Sequence, residues 1–241
     1  MESERHYTQK NLLGDTLKRA WSDRSVYVGN EMAIYFSELQ ARNNDFRAPD
    51  LFVVLDTTRR ERKSWVVWQE GGRMPDVVIE LLSESTAAID RGEKKRIYNR
   101  ILRVRNYFLF DPETGQLEGF HLPTDGGDYV PLTPSANGDL PCPVLGLSLG
   151  LRQGSYLGVE AQWLRWIGPD GAVLPSAEEE ARRFEEAAQR SEEAAQRSEE
   201  AAQRSEEAAQ RSEEQARITR EQLARALEEI ERLKAEAGRK A

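Results

Sequence analysis

Arg73-Met74-Pro75-Asp76-Val77-Val78-Ile79-Glu80-Leu81-Leu82-Ser83 reads as a buried strand. It is a short, β-branched apolar run, opened by a proline and closed by Ser83-Glu84-Ser85. Glu80 breaks the run, because desolvating a carboxylate costs several kcal/mol unless something pairs with it. Side chains alternate along a strand, so Asp76, Val78, Glu80 and Leu82 share one face and Val77, Ile79 and Leu81 the other. A core salt bridge would neutralise Glu80 as well as a functional site would. The choice depends on the flanking sequence.

Upstream, Arg47-Ala48-Pro49-Asp50-Leu51-Phe52-Val53-Val54-Leu55-Asp56 is a second buried-strand pattern. If the two strands lie antiparallel and adjacent, the start of one meets the end of the other and Asp50 falls beside Glu80. Asp76 is four residues from Glu80, roughly 13 Å along a strand, so it is expected to cap the strand's start rather than share an ion. Downstream, residues 86–101 have helical spacing, with Asp90, Lys94, Ile97, Tyr98 and Ile101 on one face. The isoleucines require that face to pack on the sheet, which turns its polar end inward. A lysine snorkelling at the helix edge would account for Lys94 equally well.

Two carboxylates and an ammonium meeting at a sheet edge match the needs of phosphodiester hydrolysis. Carboxylates hold Mg²⁺, which polarises the phosphate and lowers the pKa of a bound water. A lysine orients or deprotonates that water and offsets charge in the transition state. On spacing alone, acid–acid–lysine triplets are common.

The rest of the chain gives an α+β order. Residues 8–20 have the spacing of a helix, with strands at 26–28, 31–36, 64–68, 106–112, 116–122 and 128–132. Residues 140–151, broken by Pro141, Pro143, Gly146 and Gly150, read as short strands and loops. The length, 241 residues at 39% hydrophobic, suits one good-sized domain plus an appendage. The single cysteine, Cys142, leaves no internal disulfide framework, and His6 and His121 alone make a His/Cys zinc site a poor fit. No stretch approaches eighteen apolar residues, and Met1-Glu2-Ser3-Glu4-Arg5 is not a signal peptide, so the expectation is a cytoplasmic protein with no membrane partner. The net charge of −8 divides into −5 from Ser176 onward and −3 before it. The nearly neutral first part has basic clusters at Arg59–Lys63 and Lys94–Arg105, so charge does not exclude a nucleic-acid partner.

A family resemblance rests on a series of blocks: Pro49–Val54, Arg62–Gly71, Pro75–Thr86, Asp90–Lys94 with Tyr98, and Tyr107–Pro112. In order and spacing, over roughly residues 5–170, they resemble the Uma-two family of endonucleases in the PD-(D/E)XK restriction-endonuclease-like superfamily. The resemblance implies a mixed central sheet flanked by helices and a Mg²⁺-dependent nuclease site (Mn²⁺ as a substitute) acting on DNA, with RNA left open. Asp50 matches the first acid and Glu80 the second, and both would be metal ligands. Leu82 stands where the superfamily has its lysine, so the resemblance assigns that role to Lys94 on the following helix, with Asp90 and Tyr98 as supports. The family's Gly-Val-x-Glu-Tyr pattern is changed here at Arg103 and Asn106.

The tail follows another rule. Ala-Ala-Gln-Arg-Ser-Glu-Glu occurs four times from Ala187 to Glu214, each copy placing a Glu four residues before an Arg. Residues 176–241 therefore read as a long helix, separate from a nuclease domain at 1–175. Its a/d seam is one of Ala and Ser until the last two heptads, where Leu223, Leu227, Ile230 and Leu233 gather, too little apolar surface for a strong coiled coil. The expected assembly is at most a weak homodimer, through these last heptads or the nuclease domain. The best reading is a Mg²⁺-dependent endodeoxyribonuclease. A catalytically silent nucleic-acid-binding or regulatory module and a helix-centred scaffold remain the alternatives.

Overall fold

The computed structural model describes residues 3–42 and 46–238, with side chains at all of these but 40, 41 and 233–238. The chain divides into two compact units, Met1–Glu180 and Ala181–Ala241.

The first unit begins with helix α1 (Glu4–Ala20), four residues earlier than the apolar spacing indicates, because Ser3 caps it by accepting a bond from the His6 N–H. Next come β1 (Val26–Asn30), β2 (Ile34–Tyr35), α2 (Glu38–Arg42), β3 (Leu51–Leu55), β4 (Trp65–Val66) and β5 (Val77–Leu81). The helical stretch after β5 comprises α3 (Ala87–Ile89), a π-helical turn (Asp90–Lys94) and α4 (Lys95–Arg100). It is followed by β6 (Asn106–Phe110), β7 (Leu117–His121), β8 (Val130–Pro131), β9 (Leu140–Cys142), β10 (Leu147–Tyr156) and β11 (Val159–Ile167).

The central sheet has the order β1-β3-β5-β6-β7-β8 and is mixed: β5 and β6 run parallel and every other pair is antiparallel. β5 and β6 are buried at every position, as expected of continuous apolar strands covered on both faces. On one face Val77, Ile79 and Leu81 join Leu13 and Leu17 of α1 and Leu149, Leu164 and Trp166 of a second sheet, β11-β10-β9. On the other, Val78 and Leu82 pack with Ile97, Tyr98 and Leu102, and with Trp65 of a small parallel pair, β2-β4. The alternation read from residues 73–83 thus separates the two cores, and Glu80 is on the α4 side.

Some elements differ from the sequence reading. Residues 140–151 supply β9 and the start of a ten-residue strand, and β10 with β11 forms a long hairpin turning at Leu157 and Gly158, both at positive φ. Strand 31–36 is reduced to Ile34–Tyr35, the two residues that pair with β4. Arg103, one of the positions where the sequence departs from the pattern it resembles, is in the left-handed region at φ 53°.

The long helix α5 (Ala177–Gly238) starts with a capping box: the Glu179 N–H donates to Ser176 Oγ and the Ser176 N–H to Glu179 Oε2. Glu179 also pairs with the buried Arg165 of β11, which ties the first turn to the first unit. Beyond Glu180, pairs such as Arg197–Glu193 (2.9 Å) and Arg211–Glu207 (2.9 Å) run along the exposed helix at the i, i+4 spacing. Leu223, Leu227 and Ile230 are 61%, 55% and 47% exposed on it. Leu233 lies outside the residues whose side chains are described. No helix among the described residues is long and apolar enough to cross a membrane.

Candidate active site

Asp50 sits one residue ahead of β3, behind the buried Pro49. β3 and β5 are antiparallel with Leu51 opposite Ile79, so the next pair outward is Asp50 and Glu80. Two contacts fix them: the Leu81 N–H donates to Asp50 Oδ2 (2.6 Å), and the Asp50 N–H points to Glu80 Oε2 (3.4 Å). The carboxylate neighbours expected from the two strands are therefore together. Asp76 is at the other end of β5, where it accepts from the Leu55 N–H (2.6 Å) and pairs with Arg105.

The helical stretch brings in the cation. Asp90 and Lys94 are the two ends of the π turn, four residues apart and on one face. Lys94 Nζ lies 2.8 Å from Asp90 Oδ1 and 3.1 Å from Glu80 Oε2, while the Tyr98 hydroxyl donates to Glu80 Oε1 (2.7 Å). Tyr107 on β6 donates to the Asp90 carbonyl (2.9 Å) and packs its ring 5.2 Å from that of Tyr98. Asp90, Ile97 and Tyr98 are buried, but Ile101, placed on the same face by the sequence spacing, is 51% exposed. The helix ends at Arg100, so Ile101 leaves the helical face and Leu102 fills the core position instead.

Glu80 is 1% exposed. Burial pushes its carboxyl up to about 8: the Lys94 ammonium and the Tyr98 bond pull it down, while Asp50 and Asp90 push it up. Burial acts to lower Lys94, but the Glu80 and Asp90 carboxylates outweigh it and hold the ammonium above its ordinary range. Tyr98 is raised well above its ordinary value by burial and by Glu80, so it stays a hydrogen-bond donor.

These groups fit a hard divalent cation. Mg²⁺ takes oxygen donors and is commonly held by one or two carboxylates, with water completing the shell. Asp50 and Glu80 supply two such carboxylates. Asp90 Oδ1 faces the Lys94 ammonium at 2.8 Å, so this third carboxylate is engaged by the cation. Among the described residues no group of three or more His, Cys, Asp or Glu is placed to hold an ion, so the fit is to an open site and not to a closed cage.

A family model described as "Putative restriction endonuclease", Uma2, matches residues 1–159 of this chain. The chain belongs to the Uma2 family. The matched span takes in Asp50, Glu80, Asp90, Lys94 and Tyr98 and stops where β11 begins. An uncharacterized protein of Synechocystis, slr1290, is 28% identical over 126 residues, which is 51% of this chain and 63% of that protein. Among solved structures, one described as "a putative nuclease belonging to DUF820" from Anabaena variabilis is similar over 60% of this chain and 75% of its own, at 15% identity and a TM-score of 0.44.

Three supporting contacts at this candidate site escape sequence reasoning. Tyr107 is one, although its place in an apolar strand seven residues after the helix is a faint signal. Arg47, three residues before Asp50, donates to Glu93, the neighbour of Lys94 (3.1 Å), and so joins the two elements that bear the site. His6 Nε2 bonds the Leu82 carbonyl (2.8 Å), two residues beyond Glu80, and holds the strand end to α1.

Proposed function

We propose that this chain is a Mg²⁺-dependent endonuclease that hydrolyses phosphodiester bonds of DNA with water as nucleophile. The convergence of Asp50, Glu80 and Lys94 at one end of β5, inside a chain of the Uma2 family, carries the reading. Asp50 and Glu80 would hold Mg²⁺, or Mn²⁺ in its place. When bound, the ion polarises the scissile phosphate and lowers the pKa of a water. The chain's own groups set the rest. Tyr98 holds one oxygen of Glu80 and leaves the other toward Lys94 and Asp50. Lys94, kept protonated, is a poor base; it orients the attacking water by donating to it and offsets charge building on the phosphate oxygens. Asp90, itself anchored through its carbonyl by Tyr107, keeps the ammonium in place.

The test is cleavage of supercoiled DNA, and of RNA as a comparison, by wild type, Asp50→Asn, Glu80→Ala and Lys94→Ala with Mg²⁺, Mn²⁺ or EDTA. Cleavage is expected for wild type with either metal and not for the acid variants. A wild type inert on both nucleic acids, or variants that cleave equally well, would end the nuclease reading and favour a silent binding module.

A further inference from the structure

The helix that turns Lys94 inward carries its other cations outward. Gly92, Lys95, Arg96 and Arg100 form one wall of a cleft of about 370 Å³, and Asp128 and Tyr129, from the β7–β8 connection and its end, form the other. Lys95 Nζ lies 3.3 Å from the centre of the Phe120 ring, a cation–π contact that holds the ammonium beside the cleft. A Cβ placed on Gly92 would meet nothing within 4 Å, so a ligand can approach the helix backbone there. From residue 92 to 100 the wall is roughly 12 Å long, the axial reach of three to four phosphates of one nucleic-acid strand.

We propose that the phosphate backbone of the substrate lies in this cleft, against Lys95, Arg96 and Arg100. The proposal rests on the nuclease reading for the identity of the polyanion. The cations are strung along a helix and do not converge on one point, which suits a row of charges better than a small anion. The competing basic cluster is occupied: Arg62 is buried and makes two bonds to Glu70, Arg60 bonds the same carboxylate, and Arg59 donates to the Ser22 and Lys18 carbonyls. The one acid in the cleft, Asp128, accepts from Asn99 (2.8 Å) and pairs with Arg100 (2.5 Å), competing with phosphate for that guanidinium.

Binding by the full chain to labelled duplex DNA, single-stranded DNA and RNA of one sequence, in EDTA so that nothing is cut, tests this. The readout is fluorescence anisotropy from about 50 to 200 mM salt. The triple variant Lys95→Ala, Arg96→Ala, Arg100→Ala should lower the slope of log K against log salt by about 2.7 on duplex DNA and about 2.1 on single strands. A control with the same charge change, Arg59→Gln, Lys63→Gln, Arg73→Gln, should leave the slope near wild type. Asp128→Asn should tighten binding about two- to five-fold, a direction that damaged folding does not produce. A triple variant that binds like wild type, a control that loses as much, or a wild type that binds none of the three overturns the cleft. Wild type that binds through the cleft yet cleaves nothing would remove the nuclease reading and leave the cleft standing. Cleavage with normal binding by the triple variant would do the reverse.

Discussion

Replacing Glu80 with glutamine should change how the stability of the first unit depends on pH. The carboxyl is buried and raised from its ordinary 4.5 to about 8. A folded-state pKa above the unfolded one means that the native chain binds the extra proton. The associated stability is complete below about pH 4.5 and is lost as pH rises to about 8. At 1.36 kcal/mol per pH unit, the full loss is about 5 kcal/mol, and between pH 6 and 8 it is between about 2 and 3. Glutamine keeps an acceptor for Tyr98 and does not ionise, so Glu80→Gln should not have this slope. Urea unfolding in EDTA at a series of pH values, followed by tryptophan fluorescence, is a suitable assay, because all five tryptophans lie between Trp21 and Trp166. The variant should match wild type near pH 5 and exceed it progressively toward pH 8. At pH 8, Mg²⁺ should stabilise wild type and leave the variant unchanged, since only a carboxylate exchanges its proton for the ion. Parallel pH profiles would show that Glu80 is ionised throughout this range, held by Lys94, and would refute the burial argument.

Lys94→Ala should cost orders of magnitude in cleavage rate while Lys95→Ala changes mainly salt-dependent affinity, because one helical step turns the side chain by about 100°; single-turnover kinetics would separate the two, and equal small effects would show the lysine to be misassigned. Tyr98→Phe removes a bond that favours the ionised Glu80, so the acidic limb of a pH–rate profile should move upward by about one unit; an unmoved limb would detach Tyr98 from Glu80. Truncation after Glu180 should leave the first unit as stable as in the full chain. Truncation after Pro175 strips the buried Arg165 of Glu179 and should cost about 3 kcal/mol in the same urea assay; equal stability of the two would show that the pair contributes nothing. Sedimentation equilibrium should find at most a weak dimer that Leu223→Asp with Ile230→Asp abolishes; a tight dimer surviving that change would place the interface on the first unit.

Much of the fold and the heart of the site were determined by the sequence alone, because both arise from backbone geometry repeated over short range. Two-residue alternation assigns Val77, Ile79 and Leu81 to one core and Val78, Glu80 and Leu82 to the other, and antiparallel pairing with 49–56 then leaves Asp50 no place but beside Glu80. The seven-residue repeat likewise specifies the long helix, whose i, i+4 pairs need nothing from elsewhere in the chain. Only the tertiary structure decided features that rest on distant contacts. The π turn that carries Asp90 and Lys94 is braced by Tyr107 from a strand beyond the helix. Arg47 meets Glu93 across 46 residues, and His6 meets the Leu82 carbonyl across 76. The Arg165–Glu179 pair, which fastens the first turn of α5, joins elements whose local patterns do not refer to each other. Local periodicity tells which way a side chain points. The protonation of Glu80 near neutral pH is set by what surrounds it, and those groups come from β3, the π turn and α4.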